Sequence, residues 1–247
     1  MENTAPHSAY ASGTTGLDAF VLKVAAIVAM TSDHIGIVFW GQLPDWARIA
    51  LFAPGGLTFP VLACLLTVGY RHTRDVRIYA LRLLGFAAVA QIPYHFMISG
   101  SLNVLFTLLL GLGVLCLYDR VKNRAVFAVA FVGAVFLSGY CDWAYVGVPM
   151  ILLYRVVEQR PWCFVLPALL VGALMLFNIF ASLFSGTLGV HALAQLAYAA
   201  VGTTLSVPLL LRYNGQRGRS LKYFFYAYYP AHLAVLVVLR GVLVGTW

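Results

Sequence analysis

"AFVLKVAAIVAMTSDHIGIVFW", residues 19–40, interrupts a long apolar run with only three ionisable side chains, Lys23, Asp33 and His34. About 20 such residues are what a helix needs to cross roughly 30 Å of hydrocarbon. The rest of the chain repeats the pattern: of its 247 residues 62% are hydrophobic and 10% charged, with a mean hydropathy of +0.88. This composition excludes an ordinary soluble domain and defines an all-α, polytopic membrane helix bundle. Apolar windows predict about nine transmembrane helices, near residues 19–40, 49–70, 77–99, 103–118, 124–140, 144–157, 163–183, 190–211 and 223–244. The short 144–157 segment either spans or lies re-entrant or interfacial. Residues 1–18 are polar and read as a disordered cytoplasmic tail without a cleavable signal peptide, and residues 19–247 as a single transmembrane domain.

The net charge of +8 would suggest nucleic acid in a soluble chain; here its placement sets topology instead. Arg71, Arg74 and Arg77 follow the second helix, Arg120, Lys122 and Arg124 the fourth, Arg155 and Arg160 the sixth, and Arg212, Arg217, Arg219 and Lys222 the eighth. The alternate connections offer only Arg48. Basic short loops stay in the cytoplasm, which predicts a cytoplasmic N-terminus and an external C-terminus. Cys64, Cys116, Cys141 and Cys163 have neither paired nor CxxC spacing, so no disulfide framework and no metal site is expected. Pro54, Gly55, Gly56, Pro93, Pro208 and Pro230 interrupt predicted helices and mark kinks or a cavity wall.

Charges at membrane depth cost roughly 2.5–3.5 kcal/mol each on insertion scales and usually serve a pathway or a site. Asp33 and His34 are therefore the first candidates, on a face shared with Lys23, Ile27 and Met30. Either Asp33 accepts a structural hydrogen bond while His34 sits near the outer interface, or the imidazole moves a proton with the acid's help. Helical neighbours point about 100° apart, so the acid need not touch the histidine. In "LKYFFYAYYPAHL", residues 221–233, Lys222, Tyr226 and Tyr229 form a stripe that leads to His232. These residues either anchor the helix at the interface or line a site. "QIPYH" (91–95) and "NVLFTL" (103–108) flank an external turn where Asn103 is a natural helix cap. In "SGYCDWAYVGVP" (138–149), Asp142 either binds an incoming amine or faces water. "GYRHTRDVRIYALR" (69–82) places Arg71, Arg74, Arg77 and Arg82 where they either set topology or clamp a polyphosphate.

"LKVAAIVAMTSDHIG", "FPVLACLLTVGYRHTRDVRIYALRLLGF", "QIPYHF", "NVLFTLLLGL" and "LKYFFYAYYPAHLAVL", in this order, resemble the TraX family of membrane proteins, known for pilin acetylation. The resemblance runs from about Phe20 to Leu236. It implies a multi-pass protein of the bacterial inner membrane that moves an acetyl group from acetyl-coenzyme A to an amine acceptor such as a pilin N-terminus. It also implies His34 as general base with Asp33 as its partner acid, and His232 or Tyr229 as donors to the thioester oxygen. Lys23, Arg74, Arg77, Arg82 and Lys222 would then hold the coenzyme, and Asn103 and Asp142 would lie on the acceptor side. The bilayer and a pilin or other envelope acceptor are the expected partners, without nucleic acid and without a metal. An acetyl-histidine intermediate, a glycan or small-amine acceptor, a proton-coupled carrier using Asp33, His34 and His232, and a pilus-assembly scaffold are the alternatives.

Overall fold

Four helices begin on a short polar side chain that accepts from exposed backbone N–H groups of the first turn. Asp18 accepts from Val21, Asp75 from Arg77 and Ile78, Asn103 from Leu105, and Asn123 from Ala125 and Val126. The computed structural model describes residues 15–186 and 189–245; residues 1–14, on which most of the predicted tail falls, and the Lys222 side chain lie outside the described residues. Among them nine helical rods run in chain order: α1 (Ala19–Val38), α2 (Asp45–His72), α3 (Val76–Met97), α4 (Val104–Arg120), α5 (Arg124–Ser138), α6 (Gly147–Val156), α7 (Trp162–Phe184), α8 (Val190–Leu211) and α9 (Lys222–Val244).

Nine helices were expected to span; six of the described ones, α1, α2, α3, α7, α8 and α9, have the length and apolarity to do so. α4, α5 and α6, of 17, 15 and 10 residues, are shorter. The sequence places α6 from residue 144, whereas the helix starts at Gly147 because residues 139–146 form an irregular turn. Leu22, Ala26 and Met30 of α1, Phe59 and Leu66 of α2, Leu112 of α4 and Met150 of α6 belong to the shared core. Outer faces such as Val126, Val129 and Phe136 of α5, or Phe177, Phe180 and Phe184 of α7, stay bare. Bare apolar faces of that extent suit lipid rather than water.

The loops rich in arginine gather at one end of the bundle and are tied together there. Arg155 pairs with Asp119 at 2.8 Å, Arg160 donates to the Leu211 carbonyl at 2.8 Å, and Leu17 bridges to Arg212 and Asn214. At the opposite end Arg240 donates to the Phe96 carbonyl at 2.8 Å, capping the last turn of α3.

Two rods are broken where they meet. α2 passes through a 3₁₀ turn at Ala53–Leu57, and α8 through a π turn at Tyr198–Thr203. A Cβ on Gly56 would overlap the Tyr198 carbonyl oxygen, and one on Gly202 would overlap the Gly56 backbone. Small residues that let backbones touch are how helices associate where no water drives them together. We expect Gly202→Val to destabilise the detergent-solubilised protein by on the order of 2–3 kcal/mol through overpacking, measured by thermal unfolding. Gly133→Ala, which meets open space, should change little.

Candidate functional site

α9 lies beside α1 and sets His232 against His34. His34 Nδ1 and His232 Nε2 are 2.7 Å apart, with the rings stacked at 5.0 Å and 13° between planes. The other nitrogen of His232, Nδ1, lies 2.9 Å from the Tyr228 carbonyl oxygen. A carbonyl only accepts, so His232 carries its hydrogen on Nδ1 and offers a lone pair from Nε2. His34 Nδ1 therefore donates, and the network assigns His34 a bare lone pair on Nε2. That nitrogen has no hydrogen bond among the described residues, on a residue only 6% exposed. Tyr228 also stacks on His232 at 5.1 Å and 14°. Its hydroxyl is 2.7 Å from Thr31 Oγ1; because Thr31 donates to the Ile27 carbonyl at 2.7 Å, the tyrosine hydroxyl must donate to Thr31.

Beside the pair, a cavity of about 520 Å³ runs from the basic end to Tyr229. Lys23, His72, Thr73, Arg82, Arg217 and Arg219 line its outer part, and Leu62, Leu65, Leu66, Leu105 and Leu108 its apolar shaft. Lys23 sits over the Phe225 ring at 5.5 Å and Arg82 over Tyr79 at 5.9 Å. Among the described residues none of Lys23, Arg82, Arg217 and Arg219 forms an ion pair, and Arg82 Nε is buried without a hydrogen-bond partner. Tyr229 closes the inner end, 6.3 Å from the His34 ring and 5.6 Å from His232 between centroids. Its hydroxyl is buried, within reach of the Val104 backbone at the start of α4.

The sequence-predicted residues divide around this cavity. Lys23, Arg82 and Tyr229 line it; His34 and His232 pair behind Tyr229. Arg74 and Arg77 are exposed and outside the lining, and the Lys222 side chain lies outside the described residues. Asp33 makes no hydrogen bond to His34, because successive side chains of a helix diverge; it abuts Gly55, whose Cβ would fall 2.5 Å from the Asp33 Cβ and Cγ. Fully buried Asn103 caps α4 through Leu105 N at 3.1 Å and donates to Ala87 O at 2.8 Å and Gln91 Oε1 at 2.9 Å. Those bonds commit it to joining α3 and α4 rather than to a substrate.

Asp142 turns inward from the 139–146 turn. Its carboxylate accepts from Trp143 N at 2.9 Å, and its carbonyl accepts from the Thr107 hydroxyl. Trp143 and Tyr145 hold φ of 60° and 59°, left-handed values that bulky residues rarely adopt. Trp143 is kept there by stacking on Phe59 at 4.6 Å. Thr31 and Tyr228 are not singled out by residue type alone, although each lies one helical turn before its histidine, and Arg217 and Arg219 are legible in the sequence only as loop charges.

The fold and this site define a polytopic helical membrane protein with a buried histidine pair behind the tyrosine that closes a basic-mouthed cavity. Its family follows from comparison: TraX protein matches residues 19–240, and the chain belongs to that family. It is also similar to the probable fimbrial assembly protein FimC, serogroup H1, of Dichelobacter nodosus. That relative is 31% identical over 242 residues, covering 88% of this chain and 93% of the other. No solved structure matches the chain significantly.

Burial pushes the Asp142 carboxyl up to about 6, against the pull of the Trp143 amide. The folded state then holds more protons than the unfolded one between about pH 4 and 6, so stability should fall as pH rises through that window. At about 1.4 kcal/mol per pH unit the loss is on the order of 2–3 kcal/mol. Thermal unfolding across pH 4–7 should show this slope, and Asp142→Asn should flatten it; an unchanged slope would place the titration elsewhere.

Proposed function

We propose that the protein is an acetyltransferase of the bacterial inner membrane, moving an acetyl group from cytoplasmic acetyl-coenzyme A to an amine acceptor such as a pilin N-terminus. Family membership and a relative named for fimbrial assembly support the setting. The observation that carries the chemistry is the cavity that runs from cations without ion pairs at the basic end to Tyr229, whose ring lies 6.3 Å from His34 and 5.6 Å from His232. By the positive-inside rule that end is cytoplasmic, where a charged nucleotide donor is found.

Lys23, Arg82, Arg217 and Arg219 supply positive charge for the phosphates, Arg82 with a guanidinium nitrogen still unsatisfied. The leucine-lined shaft takes the thioester arm, ending at Tyr229. As the amine nitrogen bonds to the carbonyl carbon, the Tyr229 hydroxyl donates to the developing oxyanion. His34 Nε2 takes the proton the nitrogen sheds, the C–S bond breaks, and the thiolate receives that proton. His232 is a positioning residue: by accepting from His34 Nδ1 it fixes the tautomer that leaves Nε2 basic, and it shares the charge of the transient imidazolium.

Purified protein with radiolabelled acetyl-coenzyme A and an amine-bearing peptide tests this. His34→Ala should lower transfer by roughly 10²–10⁴-fold, the usual worth of a general base, with coenzyme binding retained in calorimetry. Arg82→Ala should raise the KM for acetyl-coenzyme A about 10-fold, as loss of a charge-assisted bond does, with a smaller effect on kcat. Unimpaired transfer by His34→Ala would remove it from the reaction. Absence of coenzyme binding by the unmodified protein would favour a carrier.

A further inference from the structure

Side-chain hydrogen bonds cross from α1 to α9 at two levels, and the histidine pair is one of them. His34 Nδ1 and His232 Nε2 lie 2.7 Å apart; at the other level Thr31 Oγ1 and Tyr228 Oη also lie 2.7 Å apart. Thr31 precedes His34 by three residues and Tyr228 precedes His232 by four, so the two levels are about one helical turn apart on facing stripes. The Thr31 hydrogen is committed to the Ile27 carbonyl at 2.7 Å, which makes Tyr228 the donor across the interface. Nearer the basic end the same two helices touch through rings instead: Phe20 meets Phe225 edge-on at 5.9 Å, and Lys23 sits over Phe225 at 5.5 Å.

Tyr228 holds His232 as well. Its carbonyl oxygen is 2.9 Å from His232 Nδ1, and its ring lies 5.1 Å from the imidazole, 14° from parallel. Pro230 stands between the two residues inside α9. Proline has no N–H to give the helical ladder and loosens the turn around it, so the backbone alone holds His232 weakly at this level. Tyr228 bridges that turn with its carbonyl and ring, and its hydroxyl fastens the result to the helix that carries His34. One hydrogen bond between two helices leaves them free to roll about it; two, a turn apart, fix roll and slide together. Phenylalanine and valine would fill the same space without two hydroxyl groups to desolvate, so packing alone does not call for this pair.

We propose that Thr31 and Tyr228 are positioning residues for the base: their hydroxyl bond is a clasp that sets the rotation of α9 on α1 at which His232 Nε2 meets His34 Nδ1. Neither side chain belongs to the cavity lining, so the clasp acts through the histidines and not on the donor. The inference rests on the acetyl-transfer reading above, in which His34 Nε2 takes the amine proton. Without the clasp the pair has more than one arrangement, and His34 presents a bare Nε2 to the reacting nitrogen for only part of the time. The loss falls on kcat, because the groups that bind acetyl-coenzyme A are untouched.

The test uses the full chain in detergent with acetyl-coenzyme A and an amine-bearing peptide. Tyr228→Phe keeps the ring and the carbonyl and removes only the hydroxyl; Thr31→Val removes the hydroxyl on the other side. Each should lower kcat by roughly 10–100-fold, the scale on which a misplacement of about 1 Å costs rate, with the KM for acetyl-coenzyme A held within about 2-fold. The two changes together should cost no more than either alone, since they break one bond. Thr31→Ser, which retains a hydroxyl, should recover most of the kcat lost in Thr31→Val. Coenzyme binding in calorimetry shows that each variant is folded. Nitrogen NMR of isotope-labelled histidines reads the pair without turnover. The His34 resonances, assigned by their absence from His34→Gln, should show one protonated and one bare nitrogen in the unmodified chain and move toward each other in Tyr228→Phe as tautomers interchange. A lowered unfolding temperature with kcat and these resonances unchanged would make the bond structural and overturn the inference, as would losses that multiply in the double variant. Unmodified protein that neither binds acetyl-coenzyme A nor transfers would instead overturn the acetyltransferase reading, and the resonances would still decide whether the clasp holds the pair.

Discussion

The backbone contact between Gly56 and Gly202 is the constraint on which the interior depends. It joins the 3₁₀ turn of α2 to the π turn of α8 so closely that a Cβ on either glycine would overlap the other element's backbone. Neither turn satisfies its hydrogen bonds as a regular helix does, and such backbone survives at membrane depth only where protein surrounds it. The break gives α2 the shape that sets Gly55 against Asp33, while the π turn carries Tyr198 toward Trp143 at 5.9 Å. One close approach therefore sets residues of α1, α8 and the 139–146 turn against α2 and against one another.

Charge is graded along the molecule in a way that matches this geometry. Cations without ion pairs among the described residues line the mouth of the cavity, and the paired imidazoles lie behind Tyr229 at its inner end. Each isolated buried charge costs stability. A structural protein would gain by pairing the opposite signs or by replacing them, as happens with Arg155 and Asp119. Leaving the cations of the cavity mouth without acidic partners costs folding energy and keeps that mouth positive.

Much of this architecture was legible in the sequence because its causes are local. Asp18, Asp75, Asn103 and Asn123 start helices by bonding within three residues, and Pro54-Gly55-Gly56 breaks α2 where the pattern says it must. His34 and His232 stood out as polar residues in apolar runs. Their union did not, because 198 residues separate them and nothing local records which helix lies beside which. The adjacency of Asp33 and His34 instead suggested a pair that helical geometry keeps apart. The π turn and the left-handed Trp143 and Tyr145 were equally hidden, since tertiary packing imposes them against local preference.

A histidine partnered by histidine, rather than by carboxylate, changes what the base can do. In a low-dielectric interior an aspartate bound to His34 Nδ1 would hold a full negative charge against the ring and would need a cation of its own when the ring is neutral. His232 imposes the same tautomer with no net charge, because the Tyr228 carbonyl fixes its hydrogen on Nδ1. The directional chain from His34 through His232 to that carbonyl thus orients the base at little electrostatic cost. It also leaves Asp33, one residue away on the helix, free to face a different group.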